Sequence, residues 1–212
     1  MTTGEGEMQR YRRSCQSDFW RSVFAAEKEI LVRELGGARE VLSVGCGPAV
    51  IESMLTREGF RVTGLDVSQE ALALAPDGVR AVAGRAEDMP FPPGSFDAVI
   101  YVASLQFIED YRTAIRKTAE TLRPEGRLVV MLLNPASAFF RARAGSPASY
   151  VSKVRHTNLA EIEAAVSEWF QTRAEYAVGI DGERVFESKD PAEASLYVVC
   201  GTPRLLRKSG EW

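Results

Sequence analysis

Apolar residues along the chain follow two periods, and the switches between them set out the expected elements. Glu40 to Val44, Arg61 to Asp66, Phe96 to Val102 and Arg127 to Leu133 are short, almost continuously apolar runs. Charged residues, glycine or proline bound them, which is the pattern of strands buried on both faces. A weaker run, Val79 to Ala83, follows the turn Ala75-Pro76-Asp77-Gly78. The segments between recover helical spacing. Trp20, Val23, Phe24, Ile30, Leu31 and Leu35 define a helix capped by Asp18 and stopped at Gly36-Gly37. Ile51, Met54 and Leu55 define one over Ala49 to Glu58, and Ser68 caps a short one through Ala71 and Leu74. Asp110 to Leu122 is another, and Leu159, Ile162, Ala165, Val166 and Phe170 continue one that starts at Thr157 or Asn158. Two last strands are expected at Thr172 to Val178 and Ser195 to Cys200, separated by a polar loop.

Strand and helix therefore alternate, which predicts an α/β fold with a parallel sheet and helices on both faces. Right-handed crossovers bring the strand ends that bind ligands to one edge. Between the fifth strand and the next helix the period fails: Phe139, Phe140, Arg141, Arg143, Pro147 and Tyr150 show none. Residues 134–157 are accordingly expected to be a lid-like insertion, and residues 1–38 an N-terminal helical segment that starts loosely and packs on the sheet.

Composition narrows this picture. The 212 residues are 45% hydrophobic, enough for one substantial core, and no linker or repeat marks a second domain, so residues 1–212 are expected to be a single domain. No apolar run is long enough to cross a bilayer, and Met1 to Arg10 lacks the apolar core of a signal peptide, which predicts a cytoplasmic protein without a membrane partner. Three cysteines, Cys15, Cys46 and Cys200, lack metal-ligand spacing and argue against a disulfide framework, and the lone His156 cannot build a histidine-rich site, so no metal is expected. A net charge of -3 offers no general attraction to nucleic acid.

The candidate chemistry sits at the first strand–helix junction. Val41-Leu42-Ser43-Val44 runs into Gly45-Cys46-Gly47, where a ligand can approach bare main chain ahead of a helix with free N–H groups. Roughly twenty residues on, the second strand ends in Asp66, the position from which a carboxylate accepts the hydroxyls of a ribose. Together they point to a nucleoside-bearing ligand. Val50 stands where a dinucleotide fingerprint wants its third glycine, which disfavours a nicotinamide-dependent oxidoreductase.

The order of these pieces resembles the Rossmann-like (class I) S-adenosylmethionine-dependent methyltransferases, particularly those acting on small molecules. The likeness is carried by Val41 to Gly47, by Val62-Thr63-Gly64-Leu65-Asp66-Val67-Ser68, by Ala86-Glu87-Asp88-Met89-Pro90-Phe91-Pro92 with Ser95-Phe96-Asp97, and by Leu122-Arg123-Pro124-Glu125-Gly126-Arg127-Leu128. It implies a three-layer sandwich around a mostly parallel seven-stranded sheet whose last strand is antiparallel. It implies S-adenosylmethionine as cofactor, with Gly45, Cys46 and Gly47 against its methionyl part, Asp66 on the ribose and Val67 on the adenine. Ala86 and Glu87 would border the adenine edge, Val102 and Ala103 would meet the amino-acid end, and Leu105 to Phe107 would lie near the transferred methyl. Three positions depart from the family's pattern. Ser43 replaces a frequent acid, Arg85 replaces an aspartate that accepts the adenine amino group, and Ala49 replaces a third glycine. Arginine cannot accept a hydrogen bond, so either Glu87 takes over or adenine is held by backbone and apolar contacts.

The reaction expected is methyl transfer to a small-molecule acceptor by direct displacement, which requires no dedicated catalytic residue. A binding module without turnover, or one directed at a macromolecule, is the competing reading. Around the site, His156 is a candidate general base or a surface residue. Tyr11, Phe19 and Trp20 either close over the cofactor or pack on the sheet. Phe139, Phe140 and Tyr150 form an acceptor pocket or a small second core. Arg141, Arg143, Lys153 and Arg155 either attract an anionic acceptor or form a solvated face. Cys46 is expected to serve by being small.

Overall fold

The computed structural model describes Gln9, residues 13–147 and residues 149–204. Tyr11 and the basic tail beyond Arg204 lie outside them. In chain order the elements are helix α1 (Asp18–Leu35), strand β1 (Glu40–Val44), α2 (Val50–Arg57), β2 (Arg61–Asp66), α3 (Gln69–Leu72), β3 (Arg80–Ala83) and β4 (Phe96–Val102). There follow α4 (Tyr111–Thr121), β5 (Leu122–Leu133), α5 (Ala138–Ala144), α6 (Leu159–Trp169), β6 (Phe170–Asp181), β7 (Arg184–Phe186) and β8 (Ala194–Pro203). Single 3-10 turns occur at Ala86–Asp88, Leu105–Phe107 and Tyr150–Lys153.

Among the described residues all eight strands join one sheet in the order β3-β2-β1-β4-β5-β8-β6-β7. β1 to β5 pair in parallel, whereas β8 runs antiparallel to both its neighbours and β7 antiparallel to β6. The α/β architecture and the antiparallel last strand are as expected, but the strand number is eight, not seven. The additional strand is β7, a short edge piece paired through Gly179–Phe186, inside what reads in the sequence as a polar loop.

Period-2 alternation divides the strands between two cores. Val41, Val129, Met131 and Leu133 face the layer of α1, α2 and α5, with Leu31, Leu35, Ile51 and Phe139. Leu42, Val44, Val130 and Leu132 face α4 and α6, with Ile115, Ile162 and Val166. These opposed faces make the three layers.

Local chemistry sets the boundaries. Ser17, one residue before the expected Asp18, caps α1 by accepting from Trp20 N, and Gly36 closes it with a positive φ. Asp110 and Asn158 cap α4 and α6 through Thr113 N and Glu161 N. β5 begins at Leu122, ahead of the expected Arg127, because Leu122 pairs with Phe96 before a register shift at residues 123–126. At the edge of the sheet away from the strand tips, Asp97 accepts from Arg39 N and Glu40 N, each at 2.9 Å, and pairs with Arg123. Residues of two quoted sequence pieces thus hold the base of β1. Among the described residues no helix is long and apolar enough to cross a membrane.

Candidate functional site

β1, β2 and β4 all end at one side of the sheet, and their tips open onto a cavity of about 580 Å³. The glycine turn forms its floor. Gly45 N and Cys46 N donate to Leu65 O at 2.7 and 3.3 Å, tying the turn to β2. Gly45 has φ +73, and a Cβ there would stand 2.6 Å from Ser104 Cβ, so both conformation and space require glycine. Ser104 closes this corner by donating to Val44 O at 2.6 Å. Gly47, also at positive φ, has open space where a side chain would project.

Asp66 locks the two strand tips together. Its Oδ2 accepts from Gly47 N and its Oδ1 from Ser68 N, both at 2.8 Å. Each carboxylate oxygen keeps a lone pair for another donor. Val67 follows at the rim, 68% exposed despite its apolar side chain.

All nine residues assigned from the sequence to the cofactor line this cavity: Gly45, Cys46, Gly47, Asp66, Val67, Ala86, Glu87, Val102 and Ala103. The other candidates divide. Of Leu105 to Phe107, only Phe107 reaches the cavity. Gln106 is fully buried and clamps the chain, accepting from Leu133 N at 2.7 Å and donating to Leu133 O and His156 O. His156 does not line the cavity. Its Nε2 donates to Ile108 O at 2.9 Å and its ring meets Tyr111 edge-on, so its hydrogen bond serves to anchor the chain.

Phe139 and Phe140 belong to the core beneath α1, whereas Tyr150 lines the cavity. Trp20 lines it too, with Phe19 packed behind against Trp20 and Phe139. Arg143 lies over the Phe139 ring at 3.9 Å, while Lys153 and Arg155 reach the cavity. Arg85 donates to Glu87 at 2.8 Å, so the guanidinium and the carboxylate reach the same part of the cavity together. Burial pushes the Cys46 thiol well above its usual range, with the charges of Glu52 and Asp66 adding to the effect, which leaves it a small neutral filler between the turn and Gly64.

The sequence reading missed two residues, Glu27 on α1 and Glu52 on α2. Both are buried and both line the cavity. Ser43 Oγ donates to Glu52 Oε1 at 2.6 Å, so an acid from α2 stands beside the serine that replaces the expected acid on β1. Burial raises Glu52 to about 7 against the lowering hydrogen bond from Ser43, and raises Glu27 to about 8 with the charge of Glu52 adding to it. A signal for Glu27 exists in the sequence. It occupies the apolar stripe of α1, four residues after Val23 and four before Leu31. Among the described residues no group of three or more potential metal ligands occurs.

Comparison with known proteins places this geometry. Residues 42–130 match a family model described as a methyltransferase domain. A ubiquinone biosynthesis O-methyltransferase of Xanthomonas euvesicatoria is 35% identical over 129 residues, covering 57% of this chain and 53% of that protein. A demethylmenaquinone methyltransferase of Mycolicibacterium gilvum is 38% identical over 116 residues, covering 54% and 49%. The chain spans about half the length of the curated relatives it matches. Among solved structures, a SAM-dependent methyltransferase of Thermotoga maritima, described as a possible histamine N-methyltransferase, superposes with a TM-score of 0.78 at 20% identity over 92% of this chain and 95% of that one. One from Archaeoglobus fulgidus gives 0.73 at 12% identity over 91% and 98%. At such identities the likeness shows the fold. Residues 42–130 therefore match a methyltransferase domain, set in a Rossmann-like sheet that has the fold of the superposed methyltransferases.

Proposed function

We propose that the chain is an enzyme that transfers the methyl group of S-adenosylmethionine to a small-molecule acceptor by direct displacement. The residues present fit that cofactor. Gly47 leaves open space over its Cα, Asp66 keeps acceptor capacity after binding two backbone N–H groups, and Val67 offers an uncovered apolar face at the rim. Glu52 carries a buried oxygen, Oε2, with no hydrogen-bond partner, a group suited to an ammonium. Bound S-adenosylmethionine supplies a methyl group already activated on a positively charged sulfur.

The chain's own task is then to hold and orient. The backbone of Gly45, Cys46 and Gly47 meets the amino-acid end, with Val102 and Ala103 beside it and Glu52 taking the place of the acid missing at Ser43. Asp66 accepts the ribose hydroxyls, while Val67, Ala86 and Glu87 border the adenine, Glu87 supplying the acceptor that Arg85 lacks. Phe107, Trp20 and Tyr150 wall the acceptor side, and residues 134–157 act as its cover, excluding water. Alignment of this kind supplies about 7–11 kcal/mol in favourable cases.

The single observation that carries this reading is the meeting of Gly47 and Asp66, through a 2.8 Å hydrogen bond, on the floor of one cavity. Calorimetric titration tests it: S-adenosylmethionine binds and NADH does not. Binding of the nicotinamide without the sulfonium overturns the reading. The names of the curated relatives support a small-molecule acceptor.

A further inference from the structure

The cofactor reading uses one of the two buried carboxylates and leaves the other without a task. Glu27 is 6% exposed and Glu52 2%, both line the cavity, and each has an Oε2 with no hydrogen-bond partner. Their surroundings differ. Glu52 is held by Ser43 and repelled by Asp66, which places it on the glycine-turn side. Glu27 stands on α1 three residues after Phe24 and seven after Trp20, on the helix face whose Trp20 ring meets Tyr150 of the 134–157 segment.

That side is aromatic. Phe24 and Trp20 stack at 5.8 Å, Trp20 meets Tyr150 at 6.1 Å, and Tyr150 meets Phe107 at 6.3 Å, all four lining the same cavity. Among the described residues no cation forms an ion pair with Glu27. Arg85 and Arg155, which also reach the cavity, are engaged by Glu87 at 2.8 Å and Glu109 at 3.8 Å.

A buried carboxylate oxygen without a partner is costly, and a second carboxylate in the same cavity makes it more so. A cation relieves both. A metal ion wants further oxygen or nitrogen ligands, whereas ring faces beside a carboxylate suit an organic cation. A phenolate would bring a negative charge into a cavity lined by three carboxyl groups, those of Glu27, Glu52 and Asp66.

We propose that Glu27, with the ring wall of Phe24, Trp20, Tyr150 and Phe107, binds the methyl acceptor through a protonated amine, so that the acceptor is an amine with an apolar body. This rests on the S-adenosylmethionine reading, which assigns the cofactor's own ammonium to Glu52. Glu27 Oε2 receives the ammonium's hydrogen bond. The same oxygen takes one proton from it, giving a neutral carboxyl and an amine nitrogen with its lone pair free, and no further reactant is consumed.

The test is calorimetry on the protein saturated with S-adenosylhomocysteine, titrated with phenethylamine, benzylamine and hexylamine, with their alcohol counterparts, and with catechol. The expected result is that an amine binds at least 10-fold more tightly than its alcohol and than catechol. Glu27→Gln is expected to remove that preference while affinity for S-adenosylhomocysteine, measured alone, changes less than 3-fold. Equal binding of amines and alcohols, preference for catechol, or a Glu27→Gln protein that loses S-adenosylhomocysteine instead of the amine overturns the proposal. The wild-type comparison needs no variant, so misfolding of Glu27→Gln leaves it decisive. Failure of the wild-type protein to bind S-adenosylhomocysteine at all sinks the cofactor reading itself, a different result from binding it without amine preference.

Discussion

At the scale of single residues, Ala49 shows what a small departure costs. It stands where the family places a third glycine, and the structure puts it at φ 55, in the left-handed region. An L-residue there costs about 1–2 kcal/mol, so Ala49→Gly is expected to raise stability by about 1 kcal/mol despite the entropy glycine adds to the unfolded chain. Urea unfolding with an unchanged slope measures this, and a variant less stable than wild type contradicts the strain. The sequence shows that Ala49 is small. It does not show its backbone angle, which the turn of the following helix sets.

Glu27 and Glu52 give the same scale a pH dependence. Their folded-state values, about 8 and about 7, lie above those of exposed glutamates, so the folded protein retains protons that the unfolded chain has lost. Stability contributed by these groups is therefore present at pH 5 and declines as pH rises, through about 7 for Glu52 and about 8 for Glu27. Each group contributes a slope of up to about 1.4 kcal/mol per pH unit in its window. Melting of the ligand-free protein is expected to show a fall in Tm from pH 5 to pH 8. Glu27→Gln is expected to flatten it, gaining on wild type most at pH 8. A wild-type Tm that climbs over that range, with the variant tracking it, contradicts the burial of uncompensated carboxyls. Both residues were hidden in the sequence because a glutamate in a helix reads as solvent face. Only the position of Glu27 within an apolar stripe argued otherwise.

At the scale of elements, caps and clamps decide where the chain turns. Ser17 Oγ accepts from Trp20 N at the start of α1, the helix that carries Trp20, Phe24 and Glu27 to the cavity. Ser17→Ala is expected to cost about 1 kcal/mol, whereas Asp18→Ala, at the neighbouring position, costs less. Equal losses in urea unfolding contradict this assignment of the cap. Gln106 joins the 3-10 turn after β4 to the end of β5 and to His156. Gln106→Ala leaves Leu133 N without its partner, and a buried orphan donor costs about 1–3 kcal/mol. Hydrogen exchange is expected to speed up at Leu133 and across 154–156 first, and uniform loss of protection would show that Gln106 clamps nothing local.

Elements with strong periods were legible: β1, β2 and β4 fall where the apolar runs place them. α1, α4, α6, β6 and β8 also fall within a few residues of expectation, whereas β7 and the period of the 134–157 segment were not legible, for physical reasons. β7 is three residues long and gains its place by pairing with β6, which no local pattern encodes. The 134–157 segment lacks a period because Phe139 and Phe140 turn into the core while Tyr150, Lys153 and Arg155 turn to the cavity.

For the whole molecule, the topology does most of the functional work. Parallel pairing of β2, β1 and β4 sends three strand tips to the same edge, and the residues that follow each tip meet there without any need for proximity in sequence. The motifs placed along the chain therefore named the cavity before its walls were known, as Gly45 to Gly47, Asp66 and Ala103 show. The walls came from α1 and from the 134–157 segment, where position depends on packing between distant parts.

The central claim is that the tips of β1 and β2 hold a nucleoside-bearing cofactor through Asp66. Its most direct test is calorimetric titration of S-adenosylhomocysteine into wild type and Asp66→Ala, with folding checked by thermal melting. Two charge-assisted hydrogen bonds at this carboxylate predict a loss of affinity of about 100-fold or more in the variant. A variant that stays folded and binds S-adenosylhomocysteine as tightly as wild type would contradict the account.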